Sequence, residues 1–469
     1  MQRVPFIDEN EQQEKQMNDI RSKYKFYITF LVIIWLNVLL NAQDPINNER
    51  PGNDSTQFAL NSANGLTRPL NNGENAMQLF GSENLSGNWW GIRSALIERG
   101  INLQVIYKGE VWSNLSGGLE KGSVLLDNTD IILDLDLDKS LGLNGTSFIL
   151  QFLGNSGRLP CEYVGVQQGI SNIETIPTWK IFQMYIEQKL FDEKLSIILG
   201  MFDLNSEFDA RESSSIFLNP SHGIGPDFAK SGLNGPSIFP TTSIALKLGY
   251  EFDSGYFLKW AVFDGVPGNP DNPYGTHIFL SGNDGILFTA ETGYAVKKED
   301  MLISKFSVGS WIYSSDFDEN IAGNIGVENR STGKNYGLYL NWEHRFNETS
   351  AGSCAMYFLR VGMANKKINP IDFYAGTGFN IKGIFDSGNN DNLGVALAVA
   401  HNSSYYREFV EKSEEIQMKE FEINMEVTYT LPITPWLILQ PDLQYFINPT
   451  FCSLNDSSLL FGTRLRVSL

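Results

Sequence analysis

The sequence predicts an all-β protein, a transmembrane antiparallel β-barrel of about sixteen strands with a short N-terminal helix. Three observations predict it. Segments of about ten residues alternate apolar and polar side chains, as tilted membrane strands do. The connections between them alternate long and short. An apolar run near the N-terminus marks the chain for export.

The alternation begins at residue 101. INLQVIYKGEV places Ile101, Leu103, Val105, Tyr107 and Val111 on one face and Asn102, Gln104, Lys108 and Glu110 on the other. DIILDLDLD sets Ile131, Leu133, Leu135 and Leu137 against Asp130, Asp134, Asp136 and Asp138. FEINMEVTY repeats the pattern with Phe421, Ile423, Met425, Val427 and Tyr429 against Glu422, Asn424, Glu426 and Thr428. A period of two sends alternate side chains to opposite faces of a sheet. Extended along the chain, this reading gives strands at 101–112, 129–138, 146–154, 179–190, 194–203, 243–252, 255–264, 286–296, 302–313, 335–344, 353–364, 371–382, 392–402, 419–430, 436–446 and 459–469. The count is even, as in single-chain bacterial barrels. LLFGTRLRVSL, at 459–469, carries Arg464 and Arg466 on its polar face, and its apolar face is set to close the barrel against the first strand.

The connections carry independent information. SNLSGGLEKGSVLL reads as a long loop, KSLGLNG as a short turn, and NSGRLPCEYVGVQQG opens another long loop. DEK, DSG, KKEDM and LPITP are further short turns. One rim therefore carries tight turns and the other carries loops, as in outer-membrane barrels. The stretch 365–391 inverts the order, since ANKKINP is shorter than KGIFDSGNND. A soluble β-sandwich also alternates along its strands. The export segment, the turn lengths, and Tyr107, Trp260, Tyr294, Trp342, Trp436 and Tyr445 near strand ends favour the membrane barrel and its interfacial aromatic girdles.

FYITFLVIIWLNVLL, residues 26–40, follows Arg21, Lys23 and Lys25 and precedes Ala42. It is short for a membrane span of about 20 residues. Residues 1–42 read as a signal peptide cleaved near Ala42, with Met17 as an alternative translation start. Residues 43–88 are rich in Asn, Gly, Pro and Ser without periodicity, a flexible periplasmic leader. NWWGIRSALIERG follows and predicts a short helix that Gly100 ends, seated at the barrel mouth. The barrel domain then occupies 89–469.

Composition excludes several functions. A net charge of −19 argues against nucleic acid as a partner. Cys161, Cys354 and Cys452 show no metal-type spacing, and no two of the four histidines sit at i, i+4, so neither a metal nor a cofactor is expected. No Gly-x-Ser-x-Gly motif or metal-ligand cluster points to an enzyme. The expected partners are small solutes and outer-membrane lipid, with the chain a monomer or a homotrimer.

A barrel of sixteen strands leaves an aqueous lumen where eight would be filled by side chains. The polar face should line it, with Lys108, Glu110, Asp134, Asp136, Arg360 and Arg464 among the lining residues. So many charges in a dry core would be prohibitive, so the inner face is expected to be wet. The longest gap, residues 205–242, is expected to fold inward and narrow the passage. Phe208, Phe217, Phe228 and Phe239 would pack it to the wall, leaving Asp209, Arg211, Glu212, His222 and Asp227 toward the passage.

Over 88–469 the chain resembles the carbohydrate-selective porin (OprB) family. The resemblance is carried by NWWGIRSALIERGI, YKGEVWSNLSGG, DLDLDKSLGLNG, LGMFDLNSEFD, FLNPS, NGPSIFPTTSIALKLGYEF, FDGVPGNP, FLRVGMANKKINPIDFYAGTGFNIKG and PWLILQPDLQYFINPT, in that order and spacing. It implies an outer-membrane barrel of a Gram-negative bacterium that passes sugars through a narrow eyelet lined by charged and aromatic side chains. Sugar hydroxyls donate to carboxylates and accept from guanidinium groups, and apolar sugar faces stack on aromatic rings. Carried over by motif, the resemblance points to Glu110 in YKGEV and Arg360 in FLRVG, with Asp209 and Arg211 in the inward loop. The chain departs from the pattern at Leu469, where such barrels end in an aromatic. The acidic wall at Asp130, Asp134 and Asp136 leaves a general or cation-preferring pore as the alternative.

Overall fold

The computed structural model describes residues 83–469 apart from 283, 299–300, 347–352 and 385–390. The expected signal peptide and all but the last residues of the leader fall outside the described residues. Sixteen strands close into one antiparallel barrel in which each pairs with its sequence neighbours and the first pairs with the last. They are β1 (Ile101–Ser116), β2 (Gly122–Asp136), β3 (Thr146–Gly157), β4 (Thr178–Leu190), β5 (Leu195–Phe202), β6 (Ser243–Glu251), β7 (Tyr256–Asp264) and β8 (Ile286–Lys298), then β9 (Met301–Asp318), β10 (Thr332–Arg345), β11 (Cys354–Ala364), β12 (Ile371–Lys382), β13 (Asn392–Asn402), β14 (Phe421–Thr434), β15 (Leu437–Ile447) and β16 (Ser458–Ser468). The number of strands and the face each side chain takes follow the period-two reading. Glu110 of β1 lies opposite Arg464 of β16 across the closing seam.

The first hairpin differs from its expectation. SNLS extends β1 rather than opening a long loop, and only residues 117–121 turn. Ser113 and Asn114 pair in the ladder with Ser123 and Gly122. The Ser113 and Ser123 hydroxyls meet at 2.7 Å, and Asn114 Nδ2 donates to the Gly117 and Glu120 carbonyls, capping the turn. Polar side chains that pair in register extend a strand as readily as they end one. The long-short rule therefore fails at the first two connections, and it holds again from β3 to β11. The inversion at 365–391 is present. Residues 365–370 lie on the long-loop rim, where the Lys367 and Pro370 carbonyls accept from Asn320 and Ser403 of the flanking loops.

Outside, the wall is apolar, with Leu338, Trp342, Tyr294, Met425 and Tyr445 well exposed. Inside, large rings lie flat across glycines on the neighbouring strand. Trp112 covers its register partner Gly462, Trp311 covers Gly337, and Tyr339 covers Gly309. Any Cβ at these glycines would enter the ring. The short helix α1 (Ile92–Glu98) ends at Arg99 and Gly100, the latter in the left-handed region at φ 80°. It packs half-buried Leu96 and Ile97 against the foot of β1 and leaves Trp90 and Ile92 exposed. Arg93 donates to the Leu469 carbonyl at 2.9 Å, tying the helix to the seam. The three cysteines are free thiols.

The hydrophobic core sits within the cylinder. Residues 158–177, between β3 and β4, and 203–242, between β5 and β6, pack against inward rings of the wall. That corrects the expectation of a uniformly wet inner face. Glu110, Asp130, Glu343, Arg360, Glu422 and Glu426 are all under 5% exposed. Burial is tolerated because the two inward segments supply donors and countercharges in place of water.

Candidate functional site

Residues 203–242 enter the lumen by local chemistry. Asp203 accepts from Asn205 N at 2.9 Å and Asn219 from Ser221 N at 3.0 Å, each turning the chain into a short helical bend. Pro220 and Pro226 occupy first-turn positions, where a missing N–H is harmless. All four phenylalanines pack as expected. Phe228 stacks on Trp311 with ring centroids 4.9 Å apart, Phe217 meets Phe358 at 5.7 Å, and Phe239 meets Phe182 at 6.0 Å. Phe208 is fully buried in the same cluster as Phe228. Each buried ring contributes about 1.5–3 kcal/mol toward holding the segment inside.

The charged residues of the segment do something other than face a passage. Asp209 and Arg360 are fully buried and Arg211 nearly so. The Arg360 guanidinium spans Asp209, at 3.0 Å to Oδ2, and Asp227. It lies over the Tyr374 ring at 5.2 Å. Arg211 bonds Asp209 Oδ1 at 2.7 Å and the His222 carbonyl at 2.9 Å, and reaches Asn341 on the wall. Burial alone would raise the Asp209 carboxyl, but Arg360 and Arg211 hold it below its ordinary value. His222, wedged between the Phe217 and Phe358 rings, is pushed by burial to about 3 and is neutral. Gly225 lets the backbone pass Arg360, because a Cβ there would collide with the guanidinium. Of the five polar residues expected toward the passage, only Glu212 is exposed, paired with Arg345 at 2.7 Å. A charged group that finds countercharges in a crowded lumen is drawn to the wall rather than left to solvent.

The other expected path residues fall on the opposite wall. Glu110 accepts from Trp112 Nε1 at 2.6 Å and pairs with Arg464, which also reaches Asn172. Lys108 pairs with Asp130 at 2.9 Å. Asp134 is half-buried and inward. Asp136 instead caps the helical turn 137–141, accepting from Lys139 N at 3.1 Å at the turn-bearing rim.

The segment 158–177 was not expected at the site. Val164, Val166, Ile170 and Ile173 pack with Trp112, Leu218 and Phe446. Four aliphatics in an aperiodic stretch are the signal that places it against something apolar. Its far end meets the other inward segment at a small recess lined by Asn172, Arg211, Ser214, Ser215, Phe217, Asn219, Pro220 and Gly223. Asn172 donates to the Phe217 carbonyl at 3.2 Å, so the two lips touch. From behind, Glu343 accepts from Ser213 N at 3.0 Å and Glu291 from Asp209 N at 3.0 Å. No group of metal-ligating side chains is present among the described residues. The recess offers the Asn172 amide and the Ser215 hydroxyl over a floor that holds Arg211 and Phe217, a surface suited to hydrogen-bonding polyhydroxylated solutes.

Comparison with known proteins bears on this geometry. Residues 121–469 match the family model described as carbohydrate-selective porin, OprB family. Porin B of Pseudomonas aeruginosa is 23% identical over 422 residues, covering 81% of this chain and 90% of its own. The putative porin QuiX of Acinetobacter baylyi is 21% identical over 415 residues, covering 82% and 92%. The high-pH structure of Pseudomonas putida OprB superimposes with a TM-score of 0.76 at 22% identity, covering 83% of this chain and 99% of its own.

Proposed function

The chain belongs to the carbohydrate-selective porin (OprB) family, and from that premise we propose that its sugars cross the barrel through the recess where the two inward segments meet. The protein is an outer-membrane porin of Gram-negative type whose cargo is carbohydrate. Its work is transport, as the family and the barrel imply. The single observation that supports the recess as the route is its lining. Asn172 and Ser215 present neutral hydrogen-bonding groups, and Ser214, Arg211 and Phe217 form the nearly closed floor beneath them. On this reading Arg464, Lys108 and Asp134 line the route on the wall formed by β16, β1 and β2, with Glu110 holding Arg464 from behind. Asp209 and Arg360 hold the constriction in place without touching the solute.

The test is uptake of graded sugars by liposomes carrying the full chain. Asn172→Leu is expected to slow glucose-sized sugars about fivefold, the loss of roughly 1 kcal/mol from one hydrogen bond to the sugar. Swelling rates equal to the parent's would remove the recess from the route. For the N-terminus we propose that residues 1–42 are the signal peptide and that the mature leader begins near Gln43. Intact mass of protein extracted from outer membranes should match a chain starting there, and a mass retaining residues 26–40 would refute it.

A further inference from the structure

Both lips of the recess are gripped from behind by one strand. β14 sends Glu422, Asn424 and Glu426 inward, one at every second residue, and all three are fully buried. Glu422 accepts from the amides of Gln167 and Gln168 at 2.9 Å each and from Thr450 N at 2.8 Å. Glu426 accepts from Leu218 N at 2.6 Å and Asn219 N at 3.1 Å. Between them Asn424 donates to Gln444 at 3.2 Å, and Gln444 donates to the Ile170 carbonyl at 2.9 Å. The two lips are joined directly above this row, where Asn219 Nδ2 donates to the Gly169 carbonyl at 2.8 Å. Glu343 and Glu291 each hold the 203–242 segment alone.

We infer that Glu422 and Glu426 are positioning residues that fix the separation of the two lips and so the size of solute that passes. The inference rests on the recess being the route. Hydrogen bonds from amides to a carboxylate are short and directional. The carboxylates stand four residues apart on a strand laddered on both sides, a rigid ruler of about 13 Å. A lip held at one end of that ruler cannot move relative to the other without breaking these amide-to-carboxyl hydrogen bonds. Neither carboxylate touches the solute, because both are sealed behind the lips.

The experiment uses the full chain in planar bilayers, with glucose, sucrose and a linear maltose oligomer as probes. Glu426→Ala is expected to raise single-channel conductance at least twofold, with added current noise, and to admit the larger probes. Glu426→Gln keeps a carbonyl oxygen for one of the two amides and is expected to show less than half that change. The two variants carry the same charge as each other. Equal changes in both, with equal shifts of reversal potential, would mean an electrostatic lining role and would overturn the inference, as would unchanged conductance and size cut-off in both. Heat-modifiable gel mobility confirms a folded barrel for each. If Glu426→Ala does not fold, Glu426→Asp replaces it. That variant retains the charge one methylene shorter, and it must alter the size cut-off for the inference to stand. Asn172→Leu, run alongside, separates the two ideas. A silent Asn172→Leu with a responsive Glu426→Ala refutes the route, whereas the reverse result refutes the positioning role.

Discussion

Replacing Arg360 with leucine is expected to release the inward segment and raise single-channel conductance several-fold while the barrel itself still forms. Arg360 is fully buried, and its guanidinium is the bridge between Asp209 and Asp227. Removing it leaves two carboxylates in a space with little water, and breaking a buried pair in this way typically costs about 3–5 kcal/mol. The segment can avoid that penalty by withdrawing toward solvent, where both carboxylates are hydrated. The wall does not share the loss, because the Arg360 backbone remains paired with Asn341 and Gly376 on either side. Arg360→Lys keeps the charge without the planar fork that reaches both partners, so its conductance should fall between those of the parent and the leucine variant. Planar-bilayer recordings, with gel mobility before and after heating to confirm the closed barrel, read the outcome. A leucine variant with parental conductance would show that the phenylalanines alone seat the segment.

Excision of residues 206–235 is expected to have the larger effect still. Leu204 N donates to the Ser237 carbonyl at 2.7 Å, so a short Gly-Ser turn can join the ends without disturbing β5 or β6. The excision removes Phe208, Phe217 and Phe228 along with the bulk of one lip. Sixteen strands without that filling enclose a wide aqueous channel. Conductance should rise steeply, and block by sugars should vanish. The ion preference should change as well. Glu291, Glu343 and Glu426 now accept from the segment's amides. Without the segment they face water as free carboxylates, and the reversal potential in a salt gradient should move toward cations. A wide, sugar-insensitive channel with no such shift would mean that these carboxylates are neutral in the open lumen.

The wall was legible in the sequence because a strand announces itself locally. Asp130, Asp134 and Asp136 against Ile131, Leu133 and Leu135 need no distant partner to be read, and the inward and outward faces came out correctly along β1, β2 and β14. The first hairpin departs from its expectation because Ser113 and Asn114 pair across the ladder with residues that composition alone assigns to a loop. The inside of the barrel was legible only in part. The aromatic anchors of residues 203–242 were readable, since four phenylalanines in a long aperiodic segment must be buried somewhere. A charge read in isolation belongs with water, so the sequence points Arg211, Asp209 and Asp227 toward the passage. Their partners, Asn341 and Arg360, lie more than a hundred residues away, and nothing local distinguishes a carboxylate that lines a channel from one that ties down a loop. The same holds for Glu422 and Glu426, whose partners are backbone amides of segments elsewhere in the chain and leave no mark in side-chain identity.

The rings laid across glycines have a consequence for the cylinder as a whole. Sliding one strand by two residues keeps every side chain on its proper face, so hydrophobic patterning does not forbid it. Trp112 forbids it at the closing seam, because its indole fits over Gly462 and meets side chains at the neighbouring inward positions, Leu460 and Arg464. The offset between first and last strands is the shear of the barrel, and with the strand number settled, shear determines tilt and radius. One indole on one glycine therefore helps decide how wide the wall is.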